Sequence, residues 1–248
     1  MLQLPEVVTA REGTILTWPG IPISWHGEAD GSLGYKWAPP PNYAGMVRAG
    51  GDNTSYDWVR EMSLEVRAVP EKNRVQLKLA LTNTGNQPLH DVWSDGACLQ
   101  HMTPEFIDAD HSRTFLRADE GLVAMTDVGR SLRIRTRYVF DSSFFEEPFV
   151  KKFEWFWGRS PAQPVSGFVA SRSTDGRRAV GIGWQDAFSI QQNSDRHHCM
   201  HSSPYFGTVF PGKTVFRYGV ILFGDTVEAL FAEFDRLEWR GHTARFQQ

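Results

Sequence analysis

Along most of the chain, apolar and polar residues alternate with the period of two that places every second side chain of a β-strand on one face. The alternation is clearest over residues 62–69 and 75–81. The segment between these two runs has the composition of a turn, with Pro70, Glu71 and Asn73. Two alternating runs joined by a short turn predict a β-hairpin.

Shorter alternating or apolar runs, bounded by turn-forming residues, predict further strands. They cover residues 14–18, 21–25, 91–93, 97–102, 113–117, 122–126, 131–140, 165–171, 178–184 and 214–224. A helical period is found only near the C-terminal end, where Thr226 is a suitable N-cap and a helix is predicted over 226–238. One stripe of that helix carries Val227, Leu230, Phe231, Phe234 and Leu237.

This order of elements predicts a mainly β protein, an antiparallel β-sandwich or jelly roll with one C-terminal helix. The 248 residues contain no internal repeat, low-complexity tract or interdomain linker, which favours a single domain over 1–248. Residues 26–56 are rich in turn formers, including Pro39, Pro40 and Pro41. We expect this segment to form a long loop or lid.

Charge and hydropathy narrow the classes of partner. The 26 basic and 29 acidic residues give a net charge of -3, so no basic excess is available for nucleic acid or an anionic membrane. No apolar run approaches the ~18 residues that a membrane-spanning helix requires. The segment from Met1 to Glu6 lacks the features of a signal peptide, which favours a cytoplasmic protein, with a previously removed leader as the open alternative.

Two cysteines, Cys98 and Cys199, lie 101 positions apart. Two cysteines do not make a disulfide framework, so the alternatives are one long-range bridge or two reduced thiols in the core. We favour the reduced thiols.

The densest group of titratable side chains lies between Arg196 and Gly207, which contains three of the eight histidines. On an extended strand, His197, Cys199 and His201 share one face. Side chains two apart on a strand lie ~7 Å apart, so two of them would chelate a metal and a further ligand would come from a neighbouring strand. We expect one divalent ion, zinc or similar, with candidate ligands His197, Cys199, His201 and His111.

Two alternatives to a metal site stay open for this segment. The first is a metal-free catalytic or binding site, in which His201 acts with His101 or His198 as acid and base. The second is a partly exposed loop whose histidines have no special role, with Cys199 as a small buried apolar residue.

Between His101 and His111 the chain carries three carboxylates, and Glu105 is a candidate oxygen ligand or general base.

Two other types of site are less well supported. Cupin metal sites have a spaced glutamate after their histidines, whereas His201 is followed by Ser202, Ser203 and Pro204. A Cys–His nucleophile lacks an identifiable third residue that would orient the histidine.

Aromatic and basic residues provide candidate contacts to a substrate. Arg133, Arg135 and Arg137 fall on one face of a predicted strand and could bind carboxylates or sulfates, although a solvent-facing stripe paired with acidic neighbours has the same pattern. Residues 144–158 are unusually aromatic and include Trp155 and Trp157, which could stack on a sugar ring or pack in the core. In the same segment Glu146 and Glu147 are alternative acid or base groups.

Several segments resemble a group of poorly characterised bacterial β-sandwich proteins that are encoded among carbohydrate-utilisation genes. The resemblance rests on residues 82–85 leading to Cys98, on residues 199–207, on residues 211–214 and on the apolar run 219–223. It covers the chain from about residue 75 onward. It implies sugar chemistry without naming a reaction, and it adds weight to Cys199 and His201.

The function predicted from the sequence is that of a carbohydrate-active enzyme, which cleaves a glycoside by hydrolysis or elimination. The candidate catalytic residues are His201, His101, Tyr205 as a proton donor, and Glu105. The candidate substrate-binding residues are Arg135, Trp155, Trp157 and His198. The alternatives are a non-catalytic carbohydrate-binding or accessory protein, and a subunit of a larger assembly or homo-oligomer whose aromatic surfaces are interfaces.

Overall fold

A computed structural model describes residues 2–17, 24–40, 59–94, 96–126, 135–139, 158–159, 164–193 and 198–237. For residues 3, 14–17, 135–139 and 158–159 the description is limited to the backbone. Two nine-stranded sheets contain all the strands of these residues, and the strands are labelled β1 to β18 in chain order. None of the helices in the described part is long and apolar enough to span a membrane.

The first sheet contains the strands that build the candidate site. Its spatial order is β13 (Gly158–Arg159), β12 (Arg135–Val139), β16 (Ala187–Asn193), β17 (Cys199–Val209), β8 (Leu89–Ser94), β2 (Val7–Ala10) and β3 (Gly13–Thr17). Off this path, β9 (Ala97–Gln100) pairs with β17 and with β1 (Leu2–Gln3). All these pairs are antiparallel except the short parallel pair of β12 and β13.

The second sheet is antiparallel throughout. Its order is β11 (Gly121–Ala124), β10 (Thr114–Ala118), β14 (Phe168–Arg172), β15 (Ala179–Trp184), β18 (Thr214–Gly224), β7 (Arg74–Asn83), β6 (Met62–Pro70), β5 (Leu33–Trp37) and β4 (His26–Gly27). A short 3-10 helix covers Pro104–Phe106, and one α-helix, α1, covers Val227–Asp235.

The main core lies between the two sheets. In the hairpin strands β6 and β7, every second residue contributes to it, as the alternation in the sequence predicts. Its buried side chains include Val8, Val92, Ile190 and Met200 from the first sheet, and Leu64, Leu79 and Ile182 from the second. The predicted antiparallel β-sandwich is therefore confirmed.

A second, smaller core joins helix α1 to the second sheet. Phe168 of β14 packs edge-on against Phe231 and stacks on Phe234, with ring centroids 5.0 and 4.8 Å away. The helix begins where the Thr226 hydroxyl accepts a hydrogen bond from the amide of Ala229. The predicted C-terminal helix is thus confirmed, although it ends at Asp235 and not at 238.

The strongest sequence pattern is also confirmed, because residues 62–70 and 74–83 form the hairpin of β6 and β7. Among the strands of four or more residues, three lie in segments where the sequence pattern indicated no strand. Val7–Ala10 and Ala187–Asn193 belong to the first sheet, and the second of these was missed because its polar residues lower the apparent strand propensity. The third, Leu33–Trp37, falls in the predicted loop.

The predicted loop or lid over 26–56 is therefore only partly a loop. Residues 26–27 and 33–37 extend the second sheet beside β6, and the Tyr35 hydroxyl donates a hydrogen bond to the carbonyl of Leu4 at 2.6 Å. This short strand is surrounded by glycines and prolines, which conceal it in the sequence. Residues 41–56 lie outside the described residues, and their role as a lid stays a prediction.

Gly181 provides a test of the packing beneath helix α1. A Cβ at Gly181 would lie 2.2 Å from Cζ of Phe168, which is held in the aromatic stack. We therefore expect Gly181→Ala to lower the free energy of unfolding by about 1–3 kcal/mol, measured by urea denaturation. Gly27→Ala is the matched control, because nothing lies within 4 Å of a Cβ there. Equal losses in both variants would contradict the proposed packing.

Candidate functional site

The two faces of β17 meet different surroundings. On one face, Met200 accepts a hydrogen bond from the Ser171 hydroxyl at 3.6 Å, and the Ser202 hydroxyl donates to the carbonyl of Gly167 at 2.7 Å. Ser171 belongs to β14 of the second sheet, and Gly167 immediately precedes that strand. The alternate residues Cys199, His201 and Ser203 therefore lie on the opposite face, the outer face of the first sheet.

The strand register extends this outer face across three strands. Cys98 of β9 and Gln191 of β16 lie directly opposite His201, and Gln100 and Asn193 lie opposite Cys199. Directly opposed residues of antiparallel strands share a face. We call this set the polar row: Cys98, Gln100, Gln191, Asn193, Cys199, His201 and Ser203.

Every member of the polar row is buried, with at most 8% of the residue exposed. Polar side chains on the outer face of a sheet are normally in contact with water, and their burial requires partners within the protein. One such contact is the hydrogen bond that Gln191 Nε2 donates to Ser203 Oγ at 3.0 Å. The concentration of buried polar and titratable groups makes this row the candidate site.

His201 lies at the centre of the row, and its two ring nitrogens face different groups. Nε2 lies 3.2 Å from Sγ of Cys199, and Nδ1 lies 3.5 Å from Oε2 of Glu6. Glu6 immediately precedes β2, and its side chain is 28% exposed. The Glu6 side chain is therefore more exposed than His201, although its Oε2 atom is buried.

Cys98 completes the group from the neighbouring strand. The ligand atoms of Cys98, Cys199 and His201 all lie within 4.8 Å of one another. Both cysteines are free and buried. A hydrogen bond with the Cys199 thiol, followed by burial, raises the pKa of the Cys98 thiol well above its ordinary value, so this thiol is protonated at neutral pH.

The third residue of a Cys–His–carboxylate arrangement, which the sequence did not identify, is therefore Glu6. Its position in the chain carries no motif that could have pointed to it, because 195 residues separate it from His201 and only strand pairing brings them together. Gln191 was missed for a different reason. The alternating residues Ser189, Gln191 and Asn193 are polar and give only a weak strand signal, so no strand was predicted there.

An aromatic cluster continues the outer face beyond Ser203. Trp93 lies opposite Tyr205, and Phe188 contacts both rings, with centroids 5.3 Å from Trp93 and 6.5 Å from Tyr205. The Tyr205 hydroxyl donates to Asp91 Oδ1 at 2.6 Å, and Arg11 pairs with the other oxygen of Asp91. The outer face thus joins a polar row to a group of aromatic rings.

Burial and the Asp91 carboxylate raise the pKa of Tyr205, which keeps its hydroxyl protonated. Tyr205 lies four positions after His201 on β17, which corresponds to ~13 Å along a strand. Tyr205 therefore lies at the aromatic end of the face, and its role as a proton donor stays a prediction.

The structure answers the question of which residue faces His201 from the neighbouring strand. The expected candidates were His101 and His111, whereas the residue in register is Cys98. The amide of His101 donates to the carbonyl of His198 at 2.7 Å, and the His101 ring contacts Phe106. Among the described residues, the group of side chains close enough together to bind one metal ion contains neither His101 nor His111.

The other candidates in the 101–114 segment have local partners. Glu105 forms an ion pair with Arg178 at 3.0 Å, and His111 is fully buried with a φ of 63°. Asp108 accepts hydrogen bonds from the amide of Arg113 and the hydroxyl of Thr114. The catalytic role of Glu105 and the ligand role of His111 stay predictions.

His197, Trp155 and Trp157 lie outside the described residues. The backbone of β12 puts Arg135 in register with Asn193 and Arg137 with Gln191, so these two positions continue the polar row. His198 is partly buried, and the structure places its carbonyl against His101.

A cleft of about 530 Å³ lies elsewhere, on the second sheet. Residues of β4, β5 and β6 line it, among them His26, Lys36 and Arg67. Beside it, the exposed ring of Trp25 packs edge-on against Tyr35 with centroids 4.9 Å apart. Neither His101 nor His201 lines this cleft, so it is separate from the polar row.

No family model and no curated protein matches the sequence. Among solved structures, the fold is similar to the Slr1438 protein of Synechocystis sp. PCC 6803, at 6% identity and a TM-score of 0.51, with 90% of this chain and 77% of that chain covered. A galactose mutarotase related enzyme of Lactobacillus acidophilus matches at 9% identity and a TM-score of 0.46, with 82% and 71% covered. A putative aldose 1-epimerase of Escherichia coli K12 matches at 10% identity and a TM-score of 0.44, with 90% of this chain and 81% of that chain covered.

At 6% identity, the likeness to the Synechocystis protein concerns the fold alone. It covers nine-tenths of the chain, so one protein of known structure shares the overall arrangement described above.

Burial of His101 predicts a pH dependence of stability. Burial lowers the pKa of His101 to about 4, from an ordinary value of 6.5. Between these values the unfolded chain binds a proton that the folded protein does not. The free energy of unfolding therefore falls as the pH decreases from ~6.5 to ~4, by about 3 kcal/mol in total. Above pH ~6.5 the full stability is present, because His101 is neutral in both states.

We expect His101→Gln to reduce the loss of stability between pH ~7 and pH ~4.5 by about 2–3 kcal/mol, measured by denaturant unfolding at each pH. His26→Gln is the control, since His26 is exposed. An unchanged pH dependence in His101→Gln would show that His101 is not buried in its neutral form.

Proposed function

We propose that the protein is a carbohydrate-active enzyme that transfers protons at the anomeric centre of a free sugar and interconverts its anomers. The observation that carries the proposal is the pair formed by Glu6 and His201, the central residue of the buried polar row. The aromatic cluster of Trp93, Phe188 and Tyr205 on the same face supports a sugar ligand, because aromatic rings pack well against the apolar face of a sugar ring.

The spacing of the pair favours this reaction over glycoside cleavage. In a cyclic sugar the anomeric hydroxyl oxygen and the ring oxygen are bonded to one carbon, so the acid and base that serve them must lie close together. Glu6 Oε2 and His201 Nδ1 are 3.5 Å apart, longer than a direct hydrogen bond. Glycosidases that use paired carboxylates hold them roughly 5–9.5 Å apart across the scissile bond.

The reaction then needs one proton on the pair. The Glu6 carboxylate accepts the proton of the anomeric hydroxyl, and the imidazolium of His201 donates a proton to the ring oxygen. The bond from the anomeric carbon to the ring oxygen breaks, and the carbonyl group forms. After rotation about the adjacent C–C bond, the same transfers in reverse close the ring on the other face, so the pair is restored.

The amide and hydroxyl side chains of the row would bind and orient the sugar. Gln100, Gln191, Asn193 and Ser203 offer neutral hydrogen-bonding groups that match sugar hydroxyls. Glycoside hydrolysis and elimination, which the sequence alone favoured, would require further groups beside Glu6 and His201. The proposal therefore keeps the carbohydrate substrate and replaces the reaction.

Polarimetry tests the proposal directly. Freshly dissolved single anomers of reducing aldoses should equilibrate faster with the wild-type protein. Glu6→Gln and His201→Asn should each lower the turnover number by about 10²–10⁴-fold, the usual contribution of general acid–base catalysis. Glu120→Gln and His90→Asn remove residues of the same types that lie outside both the polar row and the cleft, and they should have no effect.

Failure of the wild-type protein to accelerate equilibration of any aldose would overturn the epimerase proposal. Sugar binding without catalysis would then favour the non-catalytic alternative, for which the cleft beside Trp25 is the second candidate surface. New reducing ends released from glycosides would favour cleavage instead. Loss of binding in Trp25→Ala, with Trp93→Phe unaffected, would identify the cleft as the binding surface.

A further inference from the structure

The acid–base chemistry proposed above uses Glu6 and His201 but leaves both thiols without a role. Cys98 and Cys199 are the two cysteines of the chain, and they come from different strands. The fold places both beside one imidazole nitrogen, with all three ligand atoms within 4.8 Å of one another. All three residues are at least 98% buried.

Two soft sulfur donors and one imidazole are the ligands that zinc and related divalent ions prefer. In a tetrahedral zinc site, with Zn–S ≈ 2.3 Å and Zn–N ≈ 2.0–2.1 Å, neighbouring ligand atoms lie ~3.5–3.8 Å apart. The Cys199 Sγ to His201 Nε2 distance of 3.2 Å is close to this value. Only small side-chain rotations would be needed to bring the three atoms around one ion.

Strand register argues against a disulfide as the explanation for the paired thiols. Cys98 is in register with His201, and Cys199 with Gln100, so the two cysteines are diagonal neighbours. Diagonal Cα atoms of an antiparallel pair are ~7–8 Å apart. A disulfide usually requires a separation of about 4.4–6.8 Å, whereas a metal ion can join thiolates across the longer span.

Glu6 supplies the outer contact that a metal-binding histidine usually has. With Nε2 directed at the thiols, Nδ1 is directed at the Glu6 carboxylate, 3.5 Å away. A carboxylate on the second nitrogen fixes the tautomer of the ring and increases its basicity toward the metal. The arrangement therefore contains three inner ligands and one supporting residue from three different parts of the chain.

We infer that Cys98, Cys199 and His201 form a binding site for one soft divalent cation of the zinc type, supported by Glu6. On binding, the two thiols lose their protons to solvent and the ion joins two thiolates and the neutral imidazole. The fourth position is left for water or another small ligand. This site includes Cys199 and His201, as the sequence predicted, and takes Cys98 in place of His111.

The metal site stands independently of the proposed function, although one consequence rests on that function. A cation on Nε2 holds His201 in its neutral form with the proton on Nδ1, so His201 can no longer become the imidazolium that protonates the ring oxygen. Metal loading should then inhibit anomer interconversion, and removal of the metal by a chelator should restore the activity. Metal binding itself is measured without any sugar.

Titration with cobalt(II) under a phosphine reductant tests the site. Co²⁺ takes zinc-type sites, and its bonds to thiolate sulfur give a charge-transfer absorption in the near ultraviolet. We expect one Co²⁺ per chain with this absorption, and its displacement by Zn²⁺. Absence of the absorption at excess Co²⁺, in wild-type protein with intact circular dichroism, would overturn the inference.

Variants separate the site from adventitious binding. Cys98→Ser and Cys199→Ser should each weaken Co²⁺ binding by more than 100-fold and reduce the absorption per metal, whereas Glu6→Gln should weaken binding by about 10–100-fold with the absorption retained. His90→Gln, which removes a partly exposed histidine, is the control and should bind like wild type. Equal weakening in His90→Gln would overturn the assignment, and the wild-type titration decides the matter if a cysteine variant does not fold.

Discussion

The pairing of β17 with its neighbours is the constraint on which the rest of the structure depends. This strand is hydrogen-bonded to β16 on one side and to β9 and β8 on the other. Its residues alternate between the inter-sheet core and the polar row. A slip of one residue would move Met200 and Ser202 out of the core and turn His201 into it. One register therefore fixes both the packing of the sandwich and the composition of the site.

The buried polar face requires internal partners, because a charge or an unpaired polar group without water is unstable. Two of the three buried histidines among the described residues, His101 and His201, show two different solutions. His101 packs against Phe106, and burial holds its pKa at about 4, so it remains neutral. His201 has a carboxylate on one side and thiols on the other, which gives it groups that can exchange a proton or share a cation. Burial alone does not define the site; the identity of the neighbouring groups does.

The two proposals use the two nitrogens of one ring. Proton transfer with a sugar depends on Nδ1 and Glu6, and cation binding depends on Nε2 and the thiols. Because a metal on one nitrogen fixes the proton on the other, the two functions exclude each other at His201. The aromatic cluster around Trp93 and the neutral amides of the polar row belong to the proposed sugar site and are not needed for the proposed cation site.

The sequence by itself determined the secondary structure of the strongly patterned segments. The hairpin of β6 and β7 and the stripe of helix α1 have local periods that few other structures satisfy. It also indicated that Cys199 and His201 lie on one face, because neighbours two apart on a strand share a face in any sheet. Strand β16 was missed, since its buried positions are polar and resemble a solvent-facing segment. Only the tertiary structure decided that Cys98 faces His201 and that Glu6 lies at Nδ1, because strand pairing between distant segments is a long-range property that no local pattern encodes.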